Sequence, residues 1–366
     1  RQRTQEELEG CKRQTDSGIT ILTPDGMGNY DALWDRDFAY MAEYAGDLIP
    51  TSLLRDGVEY LLSHPRKEDG WYPDRVDTHG AALYAAGNPE LPCGEANLDN
   101  APFLAMAFSL LLDRVEPRER EILLQKYLAP LWQGLSCIPL DADGLVWNDP
   151  QRPHSPYGFT DCIGKTGTLM MESLLLWRAC RMLASHLQGR GDFASFLSKM
   201  ERTAEHIENA LETVFYQKES GMLLAATQDC RQIDVWGSCY ALSVGFPLTE
   251  GCAQSIRRWL IANAGGILEH GQLRHTAPGE FWERLLLFVP QGEYQNGAYW
   301  ATATGWFADA VHPADPALAE RVLEEAAAYF EEQGIFECVN GPYRKLNHFV
   351  VSAANTYGAA KRLFGR

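Results

Sequence analysis

TGTLMMESLLLWRACRMLA, residues Thr166 to Ala184, is apolar on nearly every side when wound as a helix. A helix at a protein surface carries a single apolar stripe, so an apolar cylinder of this length predicts a helix enclosed by others. To either side, apolar residues recur at three- and four-residue spacing over roughly 4–13, 38–48, 51–63, 99–113, 118–134, 194–215, 235–244, 252–263, 299–309, 315–332 and 349–363. With the Thr166 run, extending over roughly 166–187, this makes about twelve helices. Asp99 opens one, and Pro117 with Glu119 opens the next, as residues of a first turn. Strand-like alternation is confined to short pieces, Ile19–Leu22 and Gly221–Ala225. Gly and Pro are spread throughout, with no linker and no low-complexity stretch. The expectation is an all-α chain forming one domain over residues 1–366: six helical hairpins, an inner ring inside an outer ring, in an (α/α)6 barrel.

The connections between these helices are long and chemically loaded. They read DGMGNYDALWDRD (25–37), DGWYPDRVDTHG (69–80), GLVWNDPQRPHSPYGFTDCIGK (144–165), QDCRQIDVWG (228–237), QGEYQNGAYW (291–300) and FECVNGPYRKLNH (336–348). Long irregular loops are usually functional. Aromatic faces stack on sugar rings, and acids and amides hydrogen-bond hydroxyls, so these loops read as the walls of a carbohydrate pocket at one end of the barrel.

Composition narrows the partners. The 366 residues carry a net charge of −17, with a pI of about 5.0 and no basic stripe. That disfavours nucleic acid, and disfavours a polyanionic polysaccharide relative to a neutral sugar; good solubility alone is the competing explanation. No apolar run approaches the ~18 residues of a membrane span. The nine cysteines are scattered without a C-x-x-C pair, which disfavours a zinc ribbon and a disulfide framework and favours buried, reduced thiols in the cytoplasm. The nine histidines show no metal-ligand spacing, so no metal or organic cofactor is expected. Asp25-Gly26-Met27-Gly28 is a turn, because no βαβ pattern surrounds it. No G-x-S-x-G elbow is present.

Chemistry-bearing residues cluster in four segments. In LWDRDFAYM (Leu33–Met41), Trp34 offers a platform, Arg36 a rigid fork of donors, and Asp35 and Asp37 acceptors, all just before a helix. Capping that helix is the competing role for Asp35 or Asp37. In SPYGFTDCIGKTG (Ser155–Gly167), Asp161 sits among Tyr157, Phe159 and Ile163, surroundings that raise a carboxyl pKa towards a proton donor's range. The other two are YQNGAYWATATGW (Tyr294–Trp306) and IFECVNGPYRKLNHFVVSAANTYG (Ile335–Gly358). In the last, Glu337 lies between Gly334 and the Asn340–Gly341 turn and is expected on a loop.

In order and spacing, across residues about 30 to 360, these four segments resemble the six-hairpin glycosidase superfamily. Processing α-glucosidases, trehalases and bacterial glycosylglycerate hydrolases are the most similar groups. The resemblance implies an inverting, exo-acting glycoside hydrolase that releases a terminal neutral hexose from a small glycoside or short oligosaccharide. It implies Asp161 as general acid with Lys165 as its basic partner, where the family has arginine, and Glu337 as general base. Asn340 and His348 would stand near Glu337. Trp34, Arg36 and Asp37 would grip the sugar, and Tyr299 and Trp300 would form a pocket wall. Asp99-Asn100 and Asp234-Val235-Trp236-Gly237 resemble further pocket segments, adding Asn100 and Trp236, and each could equally start a helix. Glu283 and Glu293 compete with Glu337 for the role of base. Rival activities on the same barrel are a sugar 2-epimerase using His154, His275 or His348, and a phosphorylase holding phosphate with Lys165, Arg344 and Lys345. A non-catalytic sugar-binding protein is the remaining alternative.

Overall fold

The computed structural model describes residues 1–365. Among these residues twelve α-helices follow in order: α1 (Gln2–Gly10), α2 (Asp35–Tyr44), α3 (Thr51–Leu62), α4 (Asn100–Arg114), α5 (Pro117–Ser136), α6 (Met170–Leu187), α7 (Ala194–Phe215), α8 (Val235–Ser243), α9 (Glu250–Ile267), α10 (Thr304–Val311), α11 (Pro316–Gln333) and α12 (Val350–Phe364). The even-numbered helices touch in succession from α2 round to α12, and α12 packs back on α2, closing a ring. The odd-numbered helices lie against that ring, with α7 on α6, α9 on α10 and α1 on α12.

Burial follows from this placement. α6, the helix of the Thr166 run, buries Met170 to Trp177 without a break, whereas α7 buries only Met200, Ala204, Ile207, Leu211 and Phe215. Those five share one stripe, as befits a helix with one face in water. Each such Leu, Ile, Met or Phe contributes ~1.5–3 kcal/mol when fully buried. Arg178 of α6 donates to Tyr240 Oη of α8 at 3.0 Å and pairs with Glu43 of α2.

About half of the chain is helical, and small sheets accompany the helices that were expected to make up an all-α chain. Sixteen short strands in six small sheets occupy the connections among the described residues. The largest sheet is antiparallel, in the order 268–269, 272–274, 299–300, 336–340, 343–347. Two helices accordingly start later than their apolar spacing suggests. Gly167–Thr168 pairs with Trp147–Asn148, so α6 begins at Met170. Tyr299–Trp300 joins the large sheet, so α10 begins at Thr304. Aromatic residues favour a pleated, half-buried surface when a neighbouring strand is available.

Candidate active site

A small cavity of about 40 Å³, below the ~300–1,000 Å³ typical of small-molecule sites, is lined by Arg36 and Asp37 of α2 and, from the connections, by Pro24, Tyr30, Trp34, Gly158, Phe159, Asp161, Tyr294, Glu337 and Phe349. It adjoins a wider outer chamber that shares Tyr30, Trp34, Asp161 and Tyr294 and adds Arg75, Cys93, Cys162 and Leu287.

Arg36 stands at the start of α2, almost wholly buried. Its Nε donates to Asp99 Oδ2 at 3.2 Å, and its Nη2 pairs with Asp74 and lies 3.5 Å from Asn100 Oδ1. Three buried carboxylates, Asp35, Asp74 and Asp99, thus surround one guanidinium. Gly158 packs directly on that guanidinium: a β-carbon there would sit 1.7 Å from Arg36 Nε. The Gly158 amide donates to Asp99 Oδ2 at 2.7 Å, so the Asp161 segment is tied to the same network.

Asp161 follows a short 3-10 turn, Gly158–Thr160. Gln295 fixes it: Gln295 Nε2 donates to Asp161 Oδ1 at 2.7 Å and to the Gly158 carbonyl at 3.2 Å. Gln295 Oε1 accepts the Cys162 amide at 2.9 Å. Burial pushes the Asp161 carboxyl up to about 6, opposed by Arg36 and Gln295.

Glu337 sits on the strand Phe336–Asn340, not on a loop. The FECVN and YRKLN segments pair across the two-residue turn Gly341–Pro342, and Gly341 has φ 53°. Glycine at the first central position supplies the positive φ that such a tight turn needs. Tyr30 Oη donates to Glu337 Oε1 at 2.9 Å. Oε2 is buried without a hydrogen-bond partner, with Lys345 Nζ 4.0 Å away. Burial pushes Glu337 up to about 7, against the pull of Lys345 and Tyr30. Asp37 is pushed up to about 8, again by burial, with Arg36 opposing and Glu337 adding to the rise.

Of the residues singled out from sequence, Trp34, Arg36, Asp37, Asp161 and Glu337 therefore meet in one cavity. The others are not among its lining residues. Asp35 accepts the Arg36 amide at 2.7 Å. Asn100 is held by its Nδ2 on the carbonyls of Tyr72 and Tyr84. Tyr157 shares a hydrogen bond with Tyr40 at 2.9 Å. Lys165 is buried and paired with Glu172 at 2.7 Å, which corrects its expected role beside Asp161. Trp236 lies flat on His275, with ring centroids 3.8 Å apart. Trp300 packs edge-on against Phe159 and donates to the Tyr294 carbonyl, so it supports the wall from behind. Tyr299 is turned to Arg274 by its place in the sheet. His348 faces Glu7 of α1, with Nδ1 3.1 Å from Oε2. Glu283 accepts the Cys230 amide, and Glu293 is absent from the lining. Sequence reasoning missed Tyr30, Phe159 and Tyr294 as lining and Gln295 as the holder of Asp161. All four lie inside the loops quoted above, but composition marks a loop without ranking its members.

One group of metal-ligand side chains also gathers among the described residues. Cys93, Asp161 and Cys162 place one donor atom each within 4.8 Å of one another. Spacing along the chain could not reveal it, because Cys93 comes from a hairpin far upstream. All nine cysteines are free, and eight of them are buried.

No family model matches the chain, and neither does any curated protein sequence. Solved structures do match in fold. A GH63 mannosylglycerate hydrolase from Thermus thermophilus, in complex with glucose, aligns with a TM-score of 0.70 at 16% identity over 100% of both chains. A metal-independent α-mannosidase from Streptococcus pneumoniae, in complex with α-1,6-mannobiose, aligns with a TM-score of 0.68 at 11% identity over 100% of this chain and 93% of that one. A rhamnosidase from Klebsiella oxytoca, with rhamnose bound, gives 0.65 at 13% identity over 94% and 60%. The chain thus has the fold of these glycoside hydrolases, as its resemblance to six-hairpin glycosidases implied.

Proposed function

We propose that this chain is an inverting, exo-acting glycoside hydrolase, a single (α/α)6-barrel catalytic domain that removes a terminal neutral hexose from a small glycoside. One observation carries the reading: of three buried carboxyls in one small cavity, Asp37 stands at the start of α2, Asp161 has an oxygen held by Gln295, and Glu337 has a buried oxygen without a hydrogen-bond partner. Asp161 donates its proton to the glycosidic oxygen as the bond to the anomeric carbon breaks. Glu337 Oε2 takes a proton from the water that attacks the same carbon from the opposite face. Trp34, Tyr30, Phe159 and Phe349 supply stacking faces, while Arg36 and Asp37 hold hydroxyls. Tyr157, Asn100, Lys165, Trp236 and Trp300 stiffen this lining from behind.

The fold neighbours are named for mannosylglycerate, α-mannosides and rhamnose, so small α-mannosides and α-glucosides are the first substrates to test. Free thiols favour a reducing compartment. No helix of the described residues is long and apolar enough to cross a membrane. The epimerase reading lacks support, because none of His154, His275 and His348 lines the cavity. The phosphorylase reading loses Lys165, which is committed to Glu172.

The test is NMR of the first-formed sugar, with Asp161→Asn alongside. Inverted configuration and a fall in turnover of at least ~10²-fold are expected. A product retaining the substrate's configuration, or near-normal turnover by Asp161→Asn on a substrate with a poor leaving group, overturns the assignment.

A further inference from the structure

The outer chamber has a feature that the proposed reaction does not use. Two thiols, Cys93 and Cys162, stand beside the Asp161 carboxylate, all three within reach of one another and all lining the chamber. Cys93 lies just beyond the small hairpin Gly87–Pro92, and its amide donates to the Ala86 carbonyl at 2.8 Å. Cys162 is fixed through its own amide by Gln295. The two thiols share an apolar patch with Ala86 and Val289. The three donors therefore come from backbones already held in place.

Two thiolates and a carboxylate are a soft donor set, one that selects zinc or cadmium over magnesium or calcium. With bonds of ~2.3 Å to sulfur and ~2.0–2.2 Å to oxygen, a tetrahedral ion places its donors ~3.5–3.8 Å apart. Donors that stand within 4.8 Å need only a small closure to reach that spacing. The fourth position would open on the chamber, through which an ion can arrive.

We propose that Cys93, Cys162 and Asp161 form an inhibitory site for a thiophilic divalent cation, which captures the proton donor instead of assisting the reaction. Binding displaces the two thiol protons and holds Asp161 as a carboxylate. The ligated carboxylate has no proton to give to a departing oxygen, so turnover stops until the ion leaves. Binding rests on geometry alone; inhibition rests on the reading of Asp161 as general acid.

The metal-stripped full chain is titrated with Zn²⁺ by calorimetry and with Co²⁺ in the near ultraviolet. One ion per chain is expected, with a cobalt–thiolate charge-transfer band of two sulfur ligands. Cys93→Ser should bind neither ion in this way while keeping wild-type turnover, and Cys93→Ala guards against a misfolded or weakly ligating serine variant. On a glycoside that the protein cleaves, stoichiometric Zn²⁺ should abolish wild-type turnover, spare Cys93→Ser, and be reversed by EDTA, which alone leaves turnover unchanged or raised. The proposal falls if Zn²⁺ does not bind the wild type, if Cys93→Ser binds it equally, or if the loaded enzyme turns over at full rate. It falls too if EDTA inactivates the protein. Should no glycoside be cleaved by the metal-free protein, the hydrolase reading fails, while the two titrations still decide whether the ion binds.

Discussion

Glu337 is 3% exposed and carries an oxygen without a hydrogen-bond partner, 4.0 Å from Lys345 Nζ. In an unfolded chain a glutamate ionises near ~4.3, whereas the folded protein keeps this proton up to about 7. Between those values the folded state binds more protons than the unfolded one. Stability therefore falls as pH rises through that window and stays lower above it, by on the order of a few kcal/mol. Glu337→Gln lacks this penalty and can still accept the Tyr30 hydrogen bond. Its melting temperature should exceed that of wild type by about a few degrees at pH 8, with the gap closing towards pH 4. An equal or lower melting temperature at pH 8 would show that Glu337 is not held against its charge. The same group shapes the activity profile. With Asp161 at about 6 and Glu337 at about 7, kcat/KM should be a narrow bell centred between them. Because Glu337 holds its proton more tightly than Asp161, the productive form, with Asp161 protonated and Glu337 ionised, is the minor one-proton state; it gives way to the doubly protonated form in acid and to the doubly ionised form in alkali. A bell belongs to the pair, so variants rather than pH assign the two roles. A flat profile from pH 5 to 8 would argue against both carboxyls.

The segment before α6 is where rigidity enters the site. Gly158 lies against Arg36, which is clamped by Asp74 and Asp99 and has nowhere to retreat. Gly158→Ala should cost ~1–3 kcal/mol as overpacking. It should also lower kcat/KM on the order of 10²-fold, because a shift of about 1 Å in a positioned group is enough for that. Melting and steady-state kinetics read both, and unaltered kinetics would show that the contact yields. At this level the sequence was most legible where periodicity is strong. All twelve helices overlap the segments marked by three- and four-residue spacing, although α6 and α10 start later, because each buries a face whose period is set by the helix itself. The small sheets were not legible. Glu337 was expected on a loop because FECVN and YRKLN become strands only by pairing with each other and with Tyr299, a partner invisible to local pattern. Five of the residues that line the cavity were legible because acids, Arg and Trp advertise their chemistry. Gln295 was not, since an amide takes its role from what it touches.

At the scale of the whole molecule, the cavity gathers Tyr30, Asp161 and Glu337 from chain segments far apart in sequence, with the closed ring of even-numbered helices beneath them. The Tyr30–Glu337 hydrogen bond spans 307 residues, and the strand bearing Glu337 is flanked by strands that lie on either side of α10 and α11 in the chain. That arrangement has a consequence in time. Helices form within about a microsecond, but pairing distant segments must first overcome loop closure, and folding slows as contacts become less local. During refolding from denaturant, the far-ultraviolet signal should recover well before hydrolysis of a chromogenic glycoside does. Activity should then rise as a single late phase, because half a ring holds only half a pair of carboxyls. If turnover instead returned in step with helicity, the circle would be closing from the outset, and the last helix would be finding the first while the chain between them was still taking shape.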